Sequence, residues 1–76
     1  MKVRVGGVKR VCISGEYIKL DGLLKLTAVV SSGGEAKRLI QGGWVYANGR
    51  LCRERGRKIR PGDIVRYGAE TLIVQR

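Results

Sequence analysis

Three features of the sequence predict an α+β domain in which a helical hairpin packs on a small antiparallel sheet. Apolar residues alternate with period two from Lys2 to Leu20. The spacing changes to i, i+3, i+4, i+7 between Leu20 and Thr27, and alternation returns from Val45 onward. The two helical stretches are adjacent in the chain, which crowds the helices at one end of the sheet.

In the first segment Val3 and Val5, Val11 and Ile13, then Ile18 and Leu20 mark two or three short strands. Gly6-Gly7 and Ser14-Gly15 punctuate them, and the first pair is expected to form a hairpin. Asp21 is placed as the N-cap of a helix over residues 22–30. Leu20, Leu23, Leu24 and Thr27 line its apolar side, extended by Leu26 and Val30, while Lys25 falls off the stripe toward water. A tight turn at Ser31-Ser32 leads to a second helix from Gly33, because Ser32 and Glu35 have capping-box spacing. Ala36, Leu39 and Ile40 form its inner face, Lys37 and Arg38 flank it, and Gly42-Gly43 supplies a left-handed stop.

In "WVYANGRLC", residues 44–52, Asn48-Gly49 requires a two-residue type I′ hairpin. That register sets Val45 opposite Cys52 and Tyr46 opposite Leu51, and turns Val45, Ala47 and Cys52 toward the helices. Pro61-Gly62 suits the central positions of a type II turn. "DIVRYG" and "TLIVQ" are two further strands joined around Gly68-Ala69-Glu70.

The totals bound the function. The chain has 76 residues, a single small domain, and 43% of them are hydrophobic, too many for a disordered basic tail. A binding surface fits this size better than a deep cleft. Sixteen Lys and Arg against six Asp and Glu leave a net charge of +10, whose self-repulsion suggests a polyanionic partner. Within residues 50–60, Arg50, Arg53, Arg55, Arg57, Lys58 and Arg60 are opposed only by Glu54. Arginine suits bidentate phosphate contacts and stacking on bases.

Other chemistries find little support. Without histidine there is no ordinary proton shuttle near neutral pH, and the carboxylates are scattered singly. Cys12 and Cys52 lack an activating base and cannot supply the four ligands of a structural zinc, so neither a metal nor a cofactor is expected. They read as two small buried apolar side chains in a reducing compartment, with a single disulfide as the alternative. "SSGGEAKR" lacks both the Walker pattern and G-x-G-x-x-G, which argues against a nucleotide-binding enzyme. The amides of Gly33, Gly34 and Glu35 nevertheless open a helix without side chains to block a phosphate. The same glycines also serve a tight interhelical turn, and the two readings are compatible. Arg38 can pair with Glu35 at i, i+3 for a few tenths of a kcal/mol, which leaves it free for another anion. Trp44 reads foremost as packing at the core or sheet edge, with a stacking face for a base as the alternative. No signal peptide or membrane-length apolar run is seen, so a cytoplasmic protein is expected.

Together, "KLDGLLKL", "SSGGEAKRLIQGGWVYANG" and "GRKIRPGDIV" resemble the RNA-binding domain of small-subunit ribosomal protein four, the S-four-like or alpha-L fold. More narrowly the chain is similar to the short stand-alone bacterial proteins of the YaaA/YbcJ type. The resemblance covers residues 16–75, giving a domain over 16–76 and an N-terminal strand extension over 1–15. It implies a helix–turn–helix-like hairpin on a small sheet, with RNA held against the helices and the adjacent hairpin. By that motif Lys19, Lys25, Lys37 and Arg38 lie on the helical part of the surface, and the run from Arg50 through Arg53, Arg55 and Arg57 to Lys58 borders it. Ser32, Gly33 and Gly34 form the turn contact. Many family members carry Arg directly after the turn serine; Gly33 stands there in this chain, which removes one expected phosphate contact.

The expectation is a monomeric, non-enzymatic RNA-binding protein that holds structured RNA, ribosomal RNA or tRNA, on a basic face, with no membrane or small-molecule partner. A DNA-binding module and a ribosome-associated assembly factor that docks on protein are the competing readings.

Overall fold

The first strand pairs with the far end of the chain. In the computed structural model, which describes residues 7–76, β1 (Val8–Cys12) runs parallel to the last strand (Glu70–Gln75), with Val11 opposite Val74. Among the described residues the neighbour of β1 is thus the last strand, in a parallel pair, while the expected hairpin with the Val3 and Val5 segment lies outside the described residues. The next strand, β2 (Ile18–Lys19), pairs with β5 (Lys58–Ile59) as a separate two-stranded ribbon. Between them in sequence come α1 (Leu20–Leu26), α2 (Gly33–Gln41), β3 (Val45–Ala47) and β4 (Arg50–Leu51). After β5 follow β6 (Ile64–Tyr67) and β7, the Glu70–Gln75 strand. The main sheet has the order β1-β7-β6-β3-β4, antiparallel except at β1–β7. The α+β class and the helical hairpin on a sheet hold; the sheet is mixed at one edge.

One apolar layer joins helices and sheet. Leu20, Leu23, Leu24, Ala36 and Ile40 from the helices bury against Val45, Ala47, Val65, Leu72 and Val74 of the sheet, closed by Val11, Ile59 and Cys52. Truncating any of the fully buried leucines would cost about 2–5 kcal/mol. Val45, Ala47 and Cys52 face this core as their alternation predicts. Leu26, assigned to the same side, is 60% exposed: it is the last residue of α1 and lies off the buried stripe of Leu20, Leu23 and Leu24.

Helix α1 begins at Leu20 rather than residue 22, and Asp21 is not its cap. The N-cap is Lys19, whose side chain makes no capping bond. The amides of Leu20 and Asp21 donate to the carbonyls of Arg57 (2.9 Å) and Arg55 (3.2 Å), so a distant loop supplies the acceptors. The Asp21 carboxylate accepts from the Gly22 amide in the first turn, where negative charge favours the helix dipole.

The ends of both helices share one motif. In α2 the amide of Gly43 reaches the Ile40 carbonyl and that of Trp44 reaches Leu39, with Gly43 at φ 84°, the left-handed stop expected of Gly42-Gly43. In α1 Ala28 donates to Lys25 and Val29 to Leu24, with Ala28 at φ 60°. The helix therefore stops at Leu26, short of residue 30, and residues 27–32 connect the helices instead of a tight Ser31-Ser32 turn. Ser32 caps α2 by accepting from the Glu35 amide at 3.2 Å. Only half of the capping box forms, because the Glu35 carboxylate accepts from the Ser31 hydroxyl.

The turns obey their sequences. Asn48 and Gly49 at φ 52° and 81° make the primed turn that sets Tyr46 opposite Leu51. Gly62 at φ 97°, with Asp63 N–H bonded to Arg60 C=O at 2.9 Å, closes the type II turn.

Ala28 and Gly43 occupy equivalent positions with opposite residue choices, so their substitutions should act in opposite directions. A left-handed non-glycine costs about 1–2 kcal/mol, partly offset by the unfolded-state entropy that glycine adds. Ala28→Gly is expected to raise the urea midpoint by an amount worth about 0.5–1 kcal/mol, and Gly43→Ala to lower it by at least as much. Movement of both midpoints in the same direction would refute the shared motif.

Candidate nucleic-acid interface

The basic stretch is a loop with buried anchors at both ends. Cys52 is buried and donates its amide to the Val45 carbonyl; Ile59 is fully buried and pairs with Ile18. Between them Arg53, Arg55, Arg57 and Lys58 are all exposed, with the Arg57 amide turned back onto the Glu54 carbonyl. The carbonyls of Arg55 and Arg57 point inward to α1, which leaves their side chains outward. Lys58 lies opposite Lys19 in the β2–β5 ribbon, and its ammonium sits 5.0 Å from the Tyr17 ring centre.

A second contact brings the same loop to α2. A Cβ placed on Gly43 would stand 3.3 Å from Arg53 Nη2 and 3.5 Å from its Nε, so the guanidinium lies against the carboxyl end of that helix. The partial negative charge of the last carbonyls favours a cation there. The loop thus touches the start of α1 and the end of α2 at once. Lys19, Arg53, Arg55, Arg57 and Lys58 converge around it, and Arg38, in the last turn of α2, is on the same end.

The remaining candidates are distributed differently. Arg50 is exposed on β4 opposite Ala47. Lys37 is exposed midway along α2, one residue from buried Ala36. Lys25, Ser32, Gly33 and Gly34 belong to the other end of the helical hairpin, about 12 Å away along α2 at 1.5 Å per residue. Ser32 is occupied as a cap, whereas no atom lies within 4 Å of a Cβ built on Gly33 or Gly34. Arg38 does not pair with Glu35, whose carboxylate is taken by Ser31.

Sequence reasoning missed Arg66. It lies opposite Tyr46 and Thr71 on the sheet face turned away from the helices, and its signal was the alternation of buried Val65 with its neighbours in "DIVRYG". Trp44 is 62% exposed, so of the expected packing at the core or sheet edge the core is excluded; its indole packs against Gly42 at the surface. Cys12 is likewise exposed, its sulfur accepting from Gln75 Nε2; both cysteines are free thiols. Among the described residues no cluster of His, Cys, Asp and Glu is placed to hold a metal ion. None of their helices is long and apolar enough to cross a membrane.

Comparison with known proteins gives this geometry a family. No curated protein matches the chain. The family model of the S4 domain matches residues 11–75, beginning inside β1 and so earlier than residue 16, where the motifs become readable. S4 domains are in general RNA-binding and typically non-catalytic. With both helices, the basic loop and all strands after β1 inside the matched span, the chain belongs to the S4 domain family.

Proposed function

We propose that this chain is a non-catalytic domain that holds structured RNA against the surface formed by α1, α2 and the loop from Arg53 to Lys58, chiefly through phosphates. The observation that carries this reading is a division of labour within the loop. Its main chain serves the fold through the Arg55 and Arg57 carbonyls, while its side chains are exposed. A main chain held in this way has little freedom left to lose when the loop meets an anion. Arginine forks then suit phosphate oxygens better than lysine does.

In this reading Lys19, Arg55, Arg57 and Lys58 form the centre of the contact, and Arg38, Arg50 and Arg53 extend it. Lys37 bridges along α2 toward Lys25, Ser32 and the open amides of Gly33 and Gly34, a second contact for the same RNA. No base-reading code is visible on these elements, so recognition rests on shape and phosphate geometry. Ribosomal RNA and tRNA are the target classes that the family resemblance suggests, bound by a monomer in the cytoplasm.

If about five phosphates are neutralised, log affinity should fall against log salt with a slope of about −3.5 to −4.5. Filter binding to a folded RNA across a salt series measures it, and a flat line would remove the electrostatic basis of the proposal. Replacing Arg55, Arg57 and Lys58 together by Ala keeps the carbonyls that cap α1, so the fold should persist by circular dichroism. The slope should then lose about two to three units. An unaltered slope in the folded triple variant would exclude this loop from the interface.

A further inference from the structure

The sheet face opposite the helices carries a second, chemically different feature. Gly43, Trp44, Tyr46, Gly49, Arg66 and Gly68 line a groove of about 560 Å³, within the range of sites that hold small organic groups. Its walls are two exposed aromatic rings, its floor is opened by three glycines without side chains, and among the described residues its one charge is a guanidinium. No carboxylate lines it. Such a site favours a flat, neutral, heteroaromatic group tethered to a negative one.

We infer that this groove is a stacking site for an unpaired nucleobase of the RNA strand, with Trp44 and Tyr46 against the base and Arg66 on its phosphate. The inference rests on the RNA-binding reading above but uses different residues. Trp44 stands just before β3 and Tyr46 within it, and both line the groove, so each offers a ring on which a base can stack. Arg66 lies directly opposite Tyr46 across the β3–β6 ladder, within reach of the backbone of a base stacked there. Gly42 lets the indole lie flat, since a Cβ there would stand 3.1 Å from Trp44 Cδ1.

Continuity with the basic loop names the occupant. Gly43 belongs to the groove on one side and carries the Arg53 guanidinium on the other. A strand leaving the phosphate-binding loop therefore has a path over Arg53 into the aromatic groove, which is lined by no carboxylate. Charge complementarity along this path favours a nucleic acid strand over an apolar protein segment.

Trp44 is the only tryptophan, so its fluorescence reports this site alone. The intact chain is titrated with an eight-residue oligouridylate and with an abasic phosphodiester strand of equal length. Quenching by the base-bearing strand and none by the abasic strand is expected. By anisotropy of labelled oligouridylate, Trp44→Ala and Tyr46→Ala should each bind about tenfold more weakly, Tyr46→Phe near normally, and the salt slope should stay the same. Equal quenching by both strands, or full affinity in folded Trp44→Ala and Tyr46→Ala, overturns the stacking site. Either result would leave the basic face intact if the Arg55, Arg57 and Lys58 variant still loses its salt slope. An intact chain that binds no RNA would overturn both.

Discussion

The first two amides of helix α1, those of Leu20 and Asp21, are satisfied by carbonyls of a distant loop, and that loop is the most cationic segment of the chain. Leu20 is fully buried, so an unanswered amide there would cost about 1–3 kcal/mol. The carbonyls of Arg57 and Arg55 remove that cost. Against it stands the repulsion among neighbouring cations, roughly 0.5–1 kcal/mol per close pair in water and less in salt. The backbone bonds are large enough to hold the loop against this repulsion, and a polyanion would abolish the repulsion itself. Fold and proposed function thus meet in the same few peptide groups.

The other end of the loop is fastened by a polar clasp. Asn48, in the left-handed region, accepts from the Ile64 amide through its side chain at 2.9 Å and donates to Asp63 at 3.1 Å. Asp63 in turn accepts from the Arg60 amide, closing the Pro61-Gly62 turn. The β3–β4 hairpin and the exit from the basic run are therefore coupled through two side chains. With Ile59 buried between the run and this clasp, the exposed arginines project from a segment whose main chain has little freedom.

The two faces of the sheet divide the chemistry. The helix side is apolar and buried at its centre, while the outer side presents Tyr46, Leu51 and Arg66 in cross-strand register, with Trp44 beside them. Cations grouped on the loop suit a phosphate backbone; aromatic rings beside a single arginine suit bases. Gly43 is where the surfaces meet, because it is left-handed to end α2 and lies against the Arg53 guanidinium.

Local chemistry alone determined much of this protein. The Asn48-Gly49 hairpin and its register, the Pro61-Gly62 turn, the Ser32 cap and the Gly43 stop follow from backbone preferences that hold wherever those residues stand. The alternation that buries Val45, Ala47, Val65 and Leu72 is equally local. What only the tertiary structure decided are the relations that require distant segments to meet. Asp21 has the chemistry of a cap but lost that role because carbonyls more than thirty positions away arrived first. The first strand pairs with the last, which no periodicity encodes, since alternation specifies which face is buried and not which neighbour is bonded. Trp44 came to the surface because the stop at Gly43 and the flat space over Gly42 aim it outward, and hydrophobicity carries no direction until the chain around it has folded.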